Sequence, residues 1–331
     1  MDYSDLINKL KQGNARAAAR LITILENDIS ASETIVNSIY KDTGKAYILG
    51  VTGAPGSGKS TFISTITKKF IKQGKKIGII CVDPTSPLTG GALLGDRIRM
   101  KENFSLDNVF IRSMANRGQL GGLARATEDT IKILDAYGCD IIIVETVGVG
   151  QSEVDIFKSA HTVIVLLVPG TGDDIQAIKA GIMEITDIFA VNKMDLPGAD
   201  RKVADIIQML EMNMNYNYTS ENINVDIAKL KQWIPEIVKI NSRTGENFNN
   251  LLEIIENHKN FIGKSDIHSS YLLNRIKSET IQILRYKLTQ KVEELINSNK
   301  VIEDNISQVL NKSLDPYSMA NLIIKLIGLE K

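Results

Sequence analysis

The rhythm of apolar positions changes twice along the chain. From Met1 to about Tyr40 it is helical: Leu6, Ile7 and Leu10, then Ala17, Leu21, Ile22 and Leu25, each set on one face of a helix. From Lys45 short β-branched runs take over. "AYILGVT", "KIGIICVD", "VFIRS", "DIIIVET", "TVIVLLV", "DIFAVNK" and "EIVKINS" alternate with helical stretches. The runs are apolar at consecutive positions, as strands of a parallel sheet must be when helices cover both faces. Strand–helix alternation of this kind predicts a doubly wound α/β domain, ending near Asn260. From about Ser265 the pattern is helical again, and Leu284, Leu288, Val292 and Ile296 recur every four residues with charges between them. One stripe does not bury itself, so this tail must pack on the main domain or on another chain. The polar stretch "NMNYNYTSENINVD", from Asn213 to Asp226, is expected to be a loop interrupting a helical region. The expected organisation is a helical extension over 1–42, an α/β domain over 43–262 and a helical arm over 263–331.

Charge and composition remove several classes. The 39 basic residues balance 39 acidic ones with no long single-sign run, which argues against nucleic acid or an anionic membrane as the main partner. No apolar run approaches the ~20 residues needed to cross a bilayer. The N-terminus lacks the basic start and apolar stretch of a secretory signal, and Asp2, Asp5, Glu26 and Asp28 are unlike a transit peptide, so a cytoplasmic chain is expected. Cys81 and Cys139 are the only cysteines. Both stand in apolar surroundings and are expected to be buried thiols.

The first stretch that carries chemistry is "GVTGAPGSGKST", Gly50 to Thr61. Gly53, Gly58, Lys59 and Ser60 satisfy G-x-x-x-x-G-K-[ST] directly after a strand and at the start of a helix, the context of a phosphate loop. Main-chain N–H groups of Gly53, Ala54, Pro55's neighbours Gly56 and Ser57, Gly58, Lys59, Ser60 and Thr61 would surround the phosphates, aided by the helix N-terminus. Lys59 would reach the β- and γ-phosphates and Ser60 would ligate Mg²⁺. Pro55 lies in the same turn without a donor of its own.

The loop alone does not choose the base. "VNKMD" ends a later strand, and a carboxylate at Asp195 can accept both N1–H and the exocyclic N2–H of guanine, a donor pair that adenine lacks. Asn192 would brace the loops and the Lys193 stem would cover the base. Glu145 ends the strand of "DIIIVETVGVG", where it can serve the Mg²⁺ site or hold the attacking water, and Gly148 can sense the γ-phosphate. Asp83 and Asp96 lie on the Gly- and Pro-rich stretch "CVDPTSPLTGGALLGDRIRM", which can close over metal and phosphate and relax after hydrolysis. Val149 follows Gly148 where a glutamine could orient water. Unaided hydrolysis is therefore expected to be slow, with a partner completing the site.

In this wording the motifs resemble the MeaB/ArgK family of G proteins. The matching stretches are "GVTGAPGSGKST", "VDPTSP…GGALLGDRIRM", "IRSMANRGQLGGLA", "ETVGVGQSE", "VPGTGDDIQAIKAGIMEI", "VNKMD" and "DPYSMANLI". The resemblance implies a SIMIBI-class P-loop fold, a mostly parallel sheet with helices on both faces and helical extensions at each end. It implies a homodimeric GTPase chaperone, binding GTP or GDP with Mg²⁺, that gates adenosylcobalamin loading into an acyl-CoA mutase, chiefly methylmalonyl-CoA mutase, and protects it. By resemblance Asp83 and Asp96 are switch carboxylates, Glu145 is the Mg²⁺-site acid, and Asp174, Gln176 and Lys179 lie on a switch loop that communicates with the mutase. The helical arm resembles the family's dimerisation arm. "INSRTGEN" departs from the family's common Ser-Ala before Thr-Gly. Ser242 stands at the Ala position, a change that a backbone N–H to guanine O6 survives, with Arg243 beside it.

Two other functions stay open at this point. An older family label, LAO/AO transport system kinase, implies phosphoryl transfer to an acceptor other than water. A metal-insertion GTPase would share the architecture, but such proteins carry Cys/His clusters, whereas His161, His258 and His268 are scattered.

Overall fold

The computed structural model describes residues 2–83, 108–115, 122–146, 160–170, 185–219, 233–298, 300–326 and 328. Seven strands among them form one sheet: β1 Tyr47–Gly53, β2 Ile77–Asp83, β3 Val109–Ala115, β4 Ile141–Thr146, β5 Thr162–Leu167, β6 Ile188–Val191 and β7 Glu236–Lys239. Their order is β3-β2-β4-β1-β5-β6-β7, with every pairing parallel. Parallel neighbours require crossovers, and among the described residues helices supply those after β1, β3 and β6. The α-helices among the described residues are, in chain order, α1 Ser4–Lys11, α2 Ala15–Asn27, α3 Ile29–Ile39, α4 Lys59–Lys72, α5 Gly122–Ala136, α6 Ala199–Thr219, α7 Phe248–Ile262, α8 Ser265–Ser298, α9 Lys300–Leu310 and α10 Pro316–Leu326.

Alternate strand residues feed opposite layers. Leu49, Val51, Ile77, Ile79, Ile141 and Ile143 pack with Phe62, Ile63 and Ile66 of α4 and with Phe248, Leu251 and Ile255 of α7. Ile48, Ile80, Val82, Ile142 and Val144 turn to the other face, where Ile131 and Leu134 of α5 meet Leu21, Ile22 and Leu25 of α2. On that same face of β5 and β6, Val165, Leu167, Phe189 and Val191 pack with Ile206 of α6. The N-terminal helices therefore complete one face of the sheet. Two of them start at side-chain caps: Asn14 Oδ1 accepts from the Ala17 N–H at 3.0 Å and Asp28 Oδ1 from the Ala31 N–H at 3.2 Å.

The chain enters β1 through a polar anchor. The buried carboxylate of Asp135, on α5, accepts N–H groups from Gly44 at 2.6 Å, Lys45 at 3.3 Å and Ala46 at 3.0 Å. Asp135→Ala leaves those amides to find other partners. It is expected to lower stability by about 3 kcal/mol, since hydrogen bonds to charged groups contribute ~1.5–3 kcal/mol each and do not add fully. Urea denaturation measures this; a loss below about 0.5 kcal/mol would mean that the anchor contributes little.

His161, His258 and the two cysteines belong to the packing. His161 Nδ1 accepts from the Ile48 N–H at 2.8 Å while its ring stacks on Tyr47. His258 bonds Thr162 Oγ1 at 2.7 Å and packs against Trp233. Cys81 and Cys139 are buried free thiols; burial pushes the Cys139 thiol up to about 12.

One expectation fails. The stretch from Asn213 was expected to be a loop, but α6 continues through Thr219. No Gly or Pro interrupts Asn213–Thr219, and Asn, Tyr and Thr each cost only ~0.7 kcal/mol or less against Ala in a helix. Extending an anchored helix carries no nucleation cost, and buried Ile206 anchors this one. Residues 220–226 of that stretch lie outside the described residues.

The chain divides into two compact units, Met1–Arg275 and Ile276–Lys331. Within the second, α9 and α10 pack together, and Tyr286, Ile302 and Met319 are buried. Leu284 of the predicted stripe on α8 is 52% exposed and Leu288 39%, so the stripe presents an apolar edge. Among the described residues no helix is long and apolar enough to cross a membrane.

Candidate nucleotide-binding site

Ligand sites in open α/β sheets form outside the C-terminal ends of the strands, and the candidate residues that the structure describes gather there. β1 ends at Gly53 and α4 begins at Lys59. The five residues between make the tight turn that the glycines permit. A Cβ on Gly53, whose φ is +149°, would lie 2.4 Å from the Leu166 carbonyl oxygen and 2.9 Å from Ser57 Oγ. A Cβ on Gly58, at φ +92°, would lie 2.6 Å from Asn192 Nδ2. Gly58 is also the N-cap of α4 and offers no side-chain cap, so an anion can take that place at the positive end of the helix.

Lys59 is buried, and its Nζ donates to the Gly53 carbonyl at 2.7 Å and the Ala54 carbonyl at 3.3 Å. The ammonium thus lies against the loop that would hold the phosphates. Ser60 and Thr61 follow in the first turn of α4, Ser60 half-buried and Thr61 exposed.

Two acidic residues occupy the ends of the neighbouring strands. Glu145 is the penultimate residue of β4, paired in register with Val51 of β1 and Cys81 of β2. It is 2% exposed, and the Cys81 thiol donates to its Oε2 at 3.8 Å. One residue on, the Thr146 hydroxyl donates to Thr52 Oγ1 at 3.2 Å, tying β4 to β1 just below the loop. Asp83 ends β2, in register with Ala115. Hard oxygen donors of this kind, a serine hydroxyl and carboxylates, fit a small divalent cation such as Mg²⁺. Asp96, Gly148, Asp174, Gln176 and Lys179 lie outside the described residues.

The far side of the loop is braced by the residues after β6 and β7. Asn192, buried, donates from Nδ2 to the Ser57 carbonyl at 2.8 Å and accepts at Oδ1 from the Ser242 N–H at 2.9 Å. Lys193, at φ 56°, sends Nζ to the Gly56 carbonyl at 3.0 Å, laying its stem along the phosphate loop. Asp195 is exposed, and its Oδ1 accepts from Asn241 Nδ2 at 2.7 Å. Arg243 is exposed as well.

Two features differ from the sequence reading or are absent from it. The Ser242 N–H donates to Asn192 Oδ1, because the amide side chain that braces the phosphate loop through its Nδ2 needs a donor partner for its oxygen at the other end. The Ser242 carbonyl is held too, by Thr65 Oγ1 of α4 at 2.7 Å. Neither Thr65 nor Asn241 stands out in the sequence. Adjacency to Ser242 is the one signal that marks Asn241.

The chain matches the family described as Methylmalonyl Co-A mutase-associated GTPase MeaB over residues 18–297. A Pyrococcus horikoshii protein named provisionally as a GTPase is 48% identical over 329 residues, 98% of each chain. The Mus musculus protein named methylmalonic aciduria type A homolog, mitochondrial, is 28% identical over 345 residues, covering 97% of this chain and 78% of its own. Among solved structures, that of an LAO/AO transport system kinase superposes with a TM-score of 0.66 at 23% identity, covering 98% of this chain and 97% of the other, a likeness of fold.

Proposed function

The chain belongs to the MeaB family of GTPases, and we propose that it hydrolyses GTP to GDP and phosphate and uses that cycle to serve a cobalamin-dependent acyl-CoA mutase. Its task on this reading is to gate adenosylcobalamin loading and to protect the mutase, with methylmalonyl-CoA mutase as the favoured client. The observation that carries the nucleotide part is the clamp from Asn192 to both Ser57 and Ser242, which joins a G-K-S phosphate loop to the turn bearing Asp195. A phosphate loop alone would serve any nucleoside triphosphate; joined to that carboxylate it favours guanine. The mutase part is supported by the family's description.

The residues divide the work as follows. Main-chain N–H groups within Gly53–Thr61, Pro55 excepted, and the Lys59 ammonium bind the phosphates, and Asp195 takes the two N–H groups of guanine while Lys193 covers its face. Ser60, Asp83, Asp96 and Glu145 hold Mg²⁺, directly or through water; when bound, the ion neutralises charge on the β- and γ-phosphates. Glu145, kept dry and oriented at the end of β4, can instead position the attacking water, and Gly148 registers the γ-phosphate. Asp174, Gln176 and Lys179 carry the nucleotide state to the mutase. The exposed edge around Leu284 and Leu288 supports a homodimer through the C-terminal helices, and the chain is read as cytoplasmic.

γ-Labelled GTP tests the chemistry. Slow release of labelled phosphate into water by the isolated protein, changed on adding a purified cobalamin-dependent mutase, is expected. Transfer of label to a small-molecule or protein acceptor would point to a kinase, and a mutase that neither binds nor alters turnover would remove the client.

A further inference from the structure

We infer that Asn241 is a positioning residue for guanine selection, fixing the Asp195 carboxylate so that it meets both donor groups of the base. The inference rests on the reading that Asp195 selects guanine and adds the element that makes an exposed carboxylate selective.

Asp195 sits on a surface turn after β6, and an exposed carboxylate can rotate about its side-chain bonds. To accept N1–H and N2–H together, its carboxylate plane must be held in the plane of the base. Asn241 supplies the hold. Its Nδ2 donates to Asp195 Oδ1 at 2.7 Å, a charge-assisted bond. At its other end, Oδ1 accepts from the N–H groups of Arg243 at 3.0 Å and Thr244 at 3.3 Å. Those two amides can only donate, so the oxygen of Asn241 must face them and its NH₂ must face Asp195; the orientation of the amide follows from the partners. Asn241 is itself 8% exposed and bridged to Glu246 across the turn. One side chain therefore ties the base carboxylate to a rigid turn whose next residue, Ser242, is fastened to Asn192 and Thr65. A small hydroxyl at this position would present one atom to all these partners. The amide places donor and acceptor on separate atoms, so neither bond competes with the other.

The test compares GDP with IDP, which lacks the 2-amino group, by calorimetry on the full chain. Wild type is expected to prefer GDP by about tenfold or more, the worth of one hydrogen bond to a charged group. Asn241→Asp keeps an acceptor for the two turn amides but sets an oxygen against Asp195. It is expected to bring the GDP:IDP ratio within about threefold while the melting temperature stays near wild type. Asn241→Ala is expected to lose the ratio as well. An undiminished ratio in both variants, or equal weakening of GDP and IDP, would overturn the role of Asn241 and leave the guanine reading intact. A wild type that binds GDP, IDP and ADP alike would overturn the guanine reading itself.

Discussion

Lys59→Ala is expected to weaken GTP binding by about a hundredfold or more, ~2.7 kcal/mol, and to abolish measurable turnover. The ammonium lies against the phosphate loop, within hydrogen-bond distance of the Gly53 and Ala54 carbonyls, and is 7% exposed. In that position its charge is little screened by water, so its attraction to β- and γ-phosphate oxygens is stronger than on an open surface. Two charge-assisted bonds at ~1.5–3 kcal/mol each account for the loss. Removing the side chain also strips the two carbonyls of a donor, which costs stability on its own. The melting temperature must therefore be measured beside the affinity by calorimetry. A stable variant that binds GTP as wild type does would remove Lys59 from the site.

Asp195→Asn is expected to lower GTP affinity by about a hundredfold and to make XTP the better ligand. Guanine offers two donors to the carboxylate, at N1 and N2. An amide accepts one and sets its own NH₂ against the other, so a favourable bond becomes a repulsive contact. Xanthine carries a carbonyl at position 2, which matches the amide. The exchange would be imperfect, because Asn241 Nδ2, now 2.7 Å from Asp195 Oδ1, must still find an oxygen there. Competition binding of GTP and XTP measures the outcome, and a variant that keeps the wild-type preference would show that Asp195 does not read the base.

The strands of this fold are legible in the sequence for a physical reason. Covered on both faces, they are apolar at consecutive positions, and each of the seven runs contains or overlaps an observed strand. The phosphate loop is legible because its backbone leaves almost no choice of residue. Gly53 and Gly58 take positive φ with no room for a Cβ, and the pattern marks them before any coordinates exist. What escapes the sequence is the pairing of distant polar groups. Asn241 meets Asp195 across 46 positions, and Thr65 meets the Ser242 carbonyl across 177. Nothing in the residue types predicts which asparagine or threonine will face which partner. Likewise nothing in the residue types announces that the Ser242 amide meets Asn192 Oδ1. The polar end of α6 was misjudged for another reason: composition signals a loop, whereas a helix already anchored by packing extends through residues of middling propensity. The strand order is also invisible to periodicity, since every buried strand reads alike.

On the proposed reading, one braced carboxylate, joined through Asn192 to a phosphate loop, selects guanine among nucleoside triphosphates. Calorimetric titration of the wild-type chain with GTP and with ATP, each with Mg²⁺, tests it most directly. GTP is expected to bind about a hundredfold more tightly or better, and equal affinity for the two, or a preference for ATP, would contradict it.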